Sequence, residues 1–190
     1  MSEDLASGLF KQRRKSKMFL EEVYFWTDTI KDWKCLLHSD SNKDLVISSL
    51  KYLVDKGLMK IYAFVIMPNH IHLVWKMLAK NGKEMPHASF NKFTAHQFQK
   101  GLRQSEPYKL EMFKVNEPER SYRFWQRDAL AVLMDSREKV EQKIDYIHLN
   151  PLQKRWSLVE CPEDYPWSSA AFYATGEDRF GLLTHYLDEF

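Results

Sequence analysis

The sequence predicts an α+β domain on a ferredoxin-like β-α-β-β-α-β antiparallel sheet, with helices on one face and a further C-terminal helix. Strand-like segments rich in β-branched and aromatic residues alternate with segments whose apolar residues recur every three to four positions. Two strand-like segments also follow each other across a very short turn, which is typical of a hairpin. This order of segments defines the predicted class.

Length and composition favour a single folded unit. The chain has 190 residues, of which 44% are apolar and 14% aromatic, enough for the core of one ordinary domain. We assign residues 21–190 to this domain. Residues 1–20, which contain the basic run KQRRKSK, are predicted to form a flexible arm that is solvated or binds phosphate.

The first half of the domain contains a strand, a helix and a hairpin. EEVYFWTDTI (21–30) is predicted to be a strand, and the periodic segment 44–58 is predicted to be a helix that ends at Gly57. KIYAFVIM and HIHLVWKM flank Pro68-Asn69 and read as a β-hairpin, in which proline presets a turn and asparagine tolerates positive φ.

The second half contains two helices and a fourth strand. Residues 89–103 repeat phenylalanines at helical spacing, whereas the polar segment 104–121 with two prolines is predicted to be a loop. Part of 122–136 is predicted to be the fourth strand. The segment 138–150 is predicted to be the last helix, because Pro151 disfavours helical geometry in the residue before it.

Two histidines stand one residue apart in the stretch VIMPNHIHLVWK. Since side chains alternate across a strand, His70 and His72 project from the same face and can reach one ion. The alternative to metal binding is a structural role, in which both histidines are partly buried and form hydrogen bonds. A metal site also needs further ligands, so the pair alone does not define one.

Tyr146 and Asn150 stand four residues apart on the predicted last helix, in IDYIHLNP. That spacing places the phenol and the carboxamide on one helix face. Without the histidines, the simplest interpretation is a core aromatic and a residue that ends a helix before proline. With them, the four residues form a candidate site.

These motifs resemble those of the single-tyrosine transposases. MPNHIHLVW is similar to the histidine-hydrophobic-histidine signature of that family, and DYIHLNP followed by DYPWSS (164–169) resembles its REP-associated branch. The resemblance covers about residues 21–173, and its three motifs come in the family's order. The chain departs from the family in NPLQKRWSLV, where many members have NPVKAGLV, and in lacking the family's usual basic residues shortly after the first strand.

The resemblance implies metal-dependent cleavage and rejoining of single-stranded DNA through a 5′-phosphotyrosine. Tyr146 corresponds to the nucleophile, His70 and His72 to the metal-binding pair, and Asn150 to a further ligand of Mg²⁺ or Mn²⁺. The implied substrate is hairpin-forming repeat DNA. Arg123 and Arg127, which lie among aromatic residues, are predicted to contact the DNA.

Two alternatives from other classes stay open. A non-catalytic domain that binds single-stranded nucleic acid would use the histidines for stacking or hydrogen bonds. A zinc hydrolase would need a carboxylate beside the histidines, and the sequence contains no HExxH motif.

The remaining expectations concern the cell and the assembly. The net charge of +2 neither predicts nor excludes a nucleic-acid partner. The sequence has two distant cysteines, no apolar leader and no long apolar run, which predicts a cytoplasmic protein without a disulfide or membrane contact. We expect the protein to act as a monomer or a homodimer.

Overall fold

The computed structural model describes residues 17–190 and confirms the predicted α+β class. The strands are β1 (Val23–Thr29), β2 (Met59–Ile66), β3 (His70–Met77), β4 (Lys114–Glu117), β5 (Arg120–Tyr122) and β6 (Leu130–Leu133). The α-helices are α1 (Asp40–Asp55), α2 (Pro86–Ser105), α3 (Pro107–Leu110), α4 (Arg137–Leu149) and α5 (Ala170–Thr175). No helix among these residues is both long enough and apolar enough to span a membrane. The predicted arm lies outside the described residues except for 17–20.

Four of the strands form one antiparallel sheet in the order β2-β3-β1-β6. The chain passes through β1, α1, β2, β3, α2 and β6, which is the predicted succession of elements. The turn between β2 and β3 contains Pro68 and Asn69, as expected, and is closed by the Met67 N–H donating to the His70 carbonyl. Asn69 does not use its tolerance of positive φ in this turn, since it is not among the residues with positive φ.

The two faces of the sheet carry different helices. On one face, the rings of Trp26 and Trp75 stack with centroids 4.8 Å apart, and Phe90 of α2 packs edge-on against Trp26. Helix α1 packs against α2 and β2. The neighbouring residues of β1 and β3 point to the opposite face because side chains alternate, and there they meet α4. The sheet therefore separates a core with two helices from the face that carries α4.

The prediction of a loop over 104–121 is wrong. This segment contains α3 and the β4–β5 hairpin. Its two prolines lie where proline is compatible with regular structure: Pro107 begins α3, and Pro118 lies in the turn between the two strands. The prolines marked element boundaries, and the short polar elements between them gave no periodic signal.

The C-terminal segment runs along the outer edge of β2. The Ile66 N–H donates to the Trp167 carbonyl and the Ser169 N–H donates to the Phe64 carbonyl, so this segment pairs with β2 over a short stretch. His148 of α4 is linked to the same segment by a 2.8 Å hydrogen bond between Nε2 and the Ser169 hydroxyl. These contacts fix the last part of α4 against the sheet.

Candidate active site

His70 and His72 occupy the start of β3, on the face that meets α4. They pair in register with Thr29 and Thr27 of β1. Their rings lie with centroids 4.7 Å apart, and both side chains are buried. The sequence prediction that the two imidazoles share a face is confirmed.

Each imidazole is held by one hydrogen bond at Nδ1. His70 Nδ1 lies 2.7 Å from Asn69 Oδ1, and the Asn69 amide nitrogen donates to the Trp33 carbonyl. Because Asn69 Oδ1 can only accept, His70 Nδ1 carries the proton and leaves Nε2 as a lone-pair donor. His72 Nδ1 lies 2.7 Å from the Thr27 hydroxyl, which can donate or accept; this contact holds the second ring without fixing which of its nitrogens carries the proton.

Tyr146 of α4 lies directly over this pair. Its ring is 5.3 Å from the His72 ring, and it packs edge-on against Phe25 at 5.9 Å. The residue remains 39% exposed, so Tyr146 can be reached from solvent. The structure thus brings Tyr146 and the two histidines together from elements that lie far apart in sequence.

Asn150 follows Tyr146 by one helical turn. The backbone at Asn150 is still helical, so the two side chains share a face of α4 and its extension. Asn150 is completely buried, and within residues 17–190 neither atom of its carboxamide has a hydrogen-bond partner. His72 Nε2 is likewise buried and unpaired.

These unpaired atoms fit a divalent metal ion. Leaving buried polar atoms without a partner is costly, and such atoms are a common feature of ligand sites. Two imidazole nitrogens and a carboxamide oxygen suit Mn²⁺, while Mg²⁺ prefers oxygen ligands. Within 17–190 no group of three histidine, cysteine, aspartate or glutamate residues is placed to share an ion.

Burial keeps both histidines neutral. Burial and, to a smaller extent, the charge of Arg155 lower the pKa of His70 to about 4. Burial, the neighbouring His70, Lys143 and Arg155 also hold the pKa of His72 well below its usual range. Both imidazoles are therefore available as neutral ligands at physiological pH.

Arg123 and Arg127 lie elsewhere. They line a cleft of about 680 Å³ between α2 and residues 119–127, on the face of the sheet opposite to Tyr146. Arg123 Nη1 and Arg127 Nη2 lie 2.7 and 3.0 Å from the same Glu117 oxygen. The structure does not bring these arginines into the histidine–tyrosine cluster, so any contact they make to DNA belongs to a separate surface.

Sequence reasoning missed four side chains around the site. Thr27 and Asn69 hold the histidines, and Lys143 and Arg155 supply positive charge near them. Strand register could have found Thr27, since it faces His72 across the ladder once β1 and β3 are paired. Arg155 follows α4 in an irregular segment, for which no periodicity applies.

The sequence matches no protein-family model and no curated protein. Among solved structures, it is similar to a REP-associated tyrosine transposase bound to a REP hairpin, with a TM-score of 0.58 at 17% identity over 93% of this chain and 87% of that chain. The two chains share a fold. A candidate transposase from Deinococcus radiodurans is also similar, with a TM-score of 0.42 at 17% identity, over 70% of this chain and 94% of that one.

The buried histidines predict how stability depends on pH. His70 and His148 have pKa values lowered to about 4 by burial, and that of His72 is lowered as well, so the unfolded chain binds more protons than the folded one below about pH 6.5. Stability without metal should fall as pH drops from about 6.5 to about 4, by up to about 3 kcal/mol each for His70 and His148. Asp28, whose pKa burial raises to about 7, acts in the opposite direction.

Urea unfolding midpoints measured between about pH 4 and 7 test this expectation. Three histidines outweigh one aspartate, so the midpoint should rise with pH across this range and level off above it. The variant Asp28→Asn removes the opposing group and should make the rise steeper. A midpoint independent of pH would contradict the assignment of neutral buried histidines.

Proposed function

We propose that this protein is a metal-dependent enzyme that cuts and rejoins single-stranded DNA through Tyr146. The observation that carries the proposal is the position of the partly exposed Tyr146, whose ring lies 5.3 Å from the ring of His72 in the buried pair His70 and His72. A solvent-accessible phenol beside a candidate metal site suits nucleophilic attack on a phosphate. The shared fold with a transposase is in accord with this chemistry.

A phenol is a weak nucleophile at neutral pH and needs help from its surroundings. His70, His72 and Asn150 would hold a divalent cation, Mg²⁺ or Mn²⁺, with three protein ligands. When bound, the cation supplies Lewis-acid polarisation of the scissile phosphate and helps to orient it. Asn69 and Thr27 hold the two imidazoles by their Nδ1 atoms, which fixes the direction of the remaining nitrogens.

The proposed reaction exchanges one phosphodiester for another. The Tyr146 oxygen forms a bond to phosphorus while the bond to the 3′ oxygen breaks. The phenol proton passes to solvent water, and the departing 3′ oxygen takes a proton from water. The product is a 5′-phosphotyrosine with a free 3′-hydroxyl, and attack by a 3′-hydroxyl reverses the step. No nucleoside triphosphate is needed, because the covalent bond retains the energy of the original one.

Hairpin-forming DNA is the substrate we propose to test first. The transposase that shares this fold was solved bound to a REP hairpin. Arg123 and Arg127 are proposed to contact the DNA at the cleft beside α2, where the partly exposed Tyr122 offers aromatic surface. In that role they would bind the strand at a distance from the cut.

A denaturing gel separates this proposal from its alternatives. Purified protein is incubated with labelled single-stranded DNA that contains a hairpin, with Mn²⁺ or with chelator. We expect a slowly migrating, protease-sensitive adduct that requires the metal. A non-catalytic binding domain would shift the DNA on a native gel without any adduct, and a hydrolase would cut without a covalent product.

Asn150 offers a graded test of the metal site. A carboxamide oxygen is a weak neutral donor, so Asn150→Ala should cleave poorly at low Mn²⁺ and recover as the metal concentration is raised. Asn150→Asp should bind the ion more tightly through its added charge. Cleavage titrated with Mn²⁺ for the three proteins measures both effects. The same metal dependence in the parent and the Ala variant would mean that Asn150 only ends the helix before Pro151.

A further inference from the structure

Lys143 lies on α4, three residues before Tyr146, and its ammonium group reaches over the site. Its Nζ is 4.8 Å from the centre of the Phe25 ring and 5.5 Å from the centre of the Tyr146 ring. The aliphatic part of a lysine covers apolar surface while the charge stays at the rim. The ammonium is therefore placed beside the proposed nucleophile and its supporting aromatic ring.

Arg155 provides a second positive charge near the histidines. Its guanidinium carbon lies 5.5 Å from the Trp156 ring, which in turn lies 6.0 Å from the His70 ring. Both Lys143 and Arg155 contribute to the low pKa of His72, so both act electrostatically on this cluster. The two cations come from different segments, one from α4 and one from the stretch that follows it.

Neither cation is neutralised by a carboxylate from residues 17–190, where ion pairs are otherwise common. On the same helix, Lys139 pairs with Asp135 at 2.6 Å and Arg137 pairs with Glu141 at 2.8 Å, whereas Lys143 has no acidic partner there. The proposed metal ligands are also neutral. A divalent cation would thus enter a region that is already positive.

We propose that Lys143 and Arg155 form a clamp for the phosphates of the DNA strand at Tyr146, and that the clamp couples metal binding to DNA binding. The proposal rests on the proposed function for the place of the cut. An anionic backbone between the two cations supplies the negative charge that the protein lacks. The DNA and the metal ion each reduce the electrostatic cost of binding the other, and this coupling is reciprocal.

The clamp predicts effects of opposite sign on the two ligands. Lys143→Met and Arg155→Met are made in a Tyr146→Phe background that cannot react, and each should weaken binding of single-stranded DNA. The negative slope of log affinity against log salt should become shallower by roughly 0.7 for each phosphate that is no longer neutralised. The same variants should bind Mn²⁺ several-fold more tightly without DNA, because a like charge has been removed. Fluorescence anisotropy measures the first effect and calorimetry the second.

The controls separate charge from structure. Lys139→Met removes a lysine from the same helix that is paired with Asp135, and it should change neither measurement appreciably. Lys143→Arg and Arg155→Lys keep the charge and should retain the salt slope. A salt slope unchanged in both Met variants would overturn the clamp. So would Mn²⁺ affinity that falls together with DNA affinity, as expected if these side chains only support the fold.

Failure of the clamp and failure of the proposed function are distinguishable. Both binding measurements use a protein that cannot cleave, so they need no catalytic activity. Absence of the covalent adduct in the parent protein would overturn the assignment of Tyr146. The salt slopes and the Mn²⁺ affinities would still show whether Lys143 and Arg155 bind phosphate.

Discussion

Tyr146→Phe should abolish formation of the covalent DNA adduct, lowering the rate by at least about three orders of magnitude, while DNA affinity changes by less than about twofold. The substitution removes only the hydroxyl, which is the proposed nucleophile. The ring keeps its packing against Phe25 and His72, because those contacts are made by the aromatic faces and edges. Denaturing gels measure the adduct, and anisotropy measures the affinity.

Tyr52→Phe is the matched control for this experiment. Tyr52 is another exposed tyrosine, on α1, and lies on the other side of the sheet. Its loss of a hydroxyl should leave adduct formation at the parent level. An adduct formed by the Tyr146→Phe variant at the parent rate would rule out Tyr146 as the nucleophile and direct attention to another side chain.

The histidine pair was predictable because strand geometry is simple. Once VIMPNHIHLVWK is assigned to a strand after a turn, alternation puts His70 and His72 on one face whatever the rest of the chain does. Helical spacing likewise put Tyr146 and Asn150 on one face. The contact between the histidine face of β3 and the tyrosine face of α4 depends on tertiary packing. The sequence indicated it only through the resemblance to a family.

The side chains that tune the site were not predictable in this way. Asn69 lies in the predicted turn, but its amide also joins His70 to the Trp33 carbonyl, which turn chemistry does not predict. Lys143 lies in a helix rich in charged residues, where a solvated lysine is the ordinary expectation. What distinguishes it from Lys139 is the absence of an acidic partner within the described part of the chain, and that depends on packing against β1.

Irregular and edge structure limited the prediction of the fold as well. The β4–β5 hairpin is short and mostly exposed, so it has no buried face to impose a period of two on its sequence. The stretch DYPWSS pairs with the edge of β2 through main-chain hydrogen bonds, which any residue other than proline can donate. Such pairing leaves little trace in side-chain pattern.

His72→Ala and His70→Ala are each expected to reduce Mn²⁺ affinity by at least about tenfold and to suppress cleavage most strongly at low metal. Each substitution removes one imidazole nitrogen from a site that is proposed to have only three protein ligands. Thr27→Val, which removes the hydrogen-bond partner of His72 Nδ1, should weaken the metal less than either Ala variant, because the ligand remains but is less well oriented.

Calorimetry with Mn²⁺ measures this loss of affinity. It is repeated with His70→Gln and His72→Gln, which keep most of the buried volume of the imidazole. Removing a buried imidazole can also lower stability, so unfolding midpoints are recorded beside the affinities. His96→Ala, at an exposed histidine that lines the cleft beside α2, is the matched control and should bind Mn²⁺ like the parent. If a folded His70 or His72 variant also bound Mn²⁺ like the parent, the two histidines would be structural. Their buried rings would then only pack β1 and β3 against the ring of Tyr146.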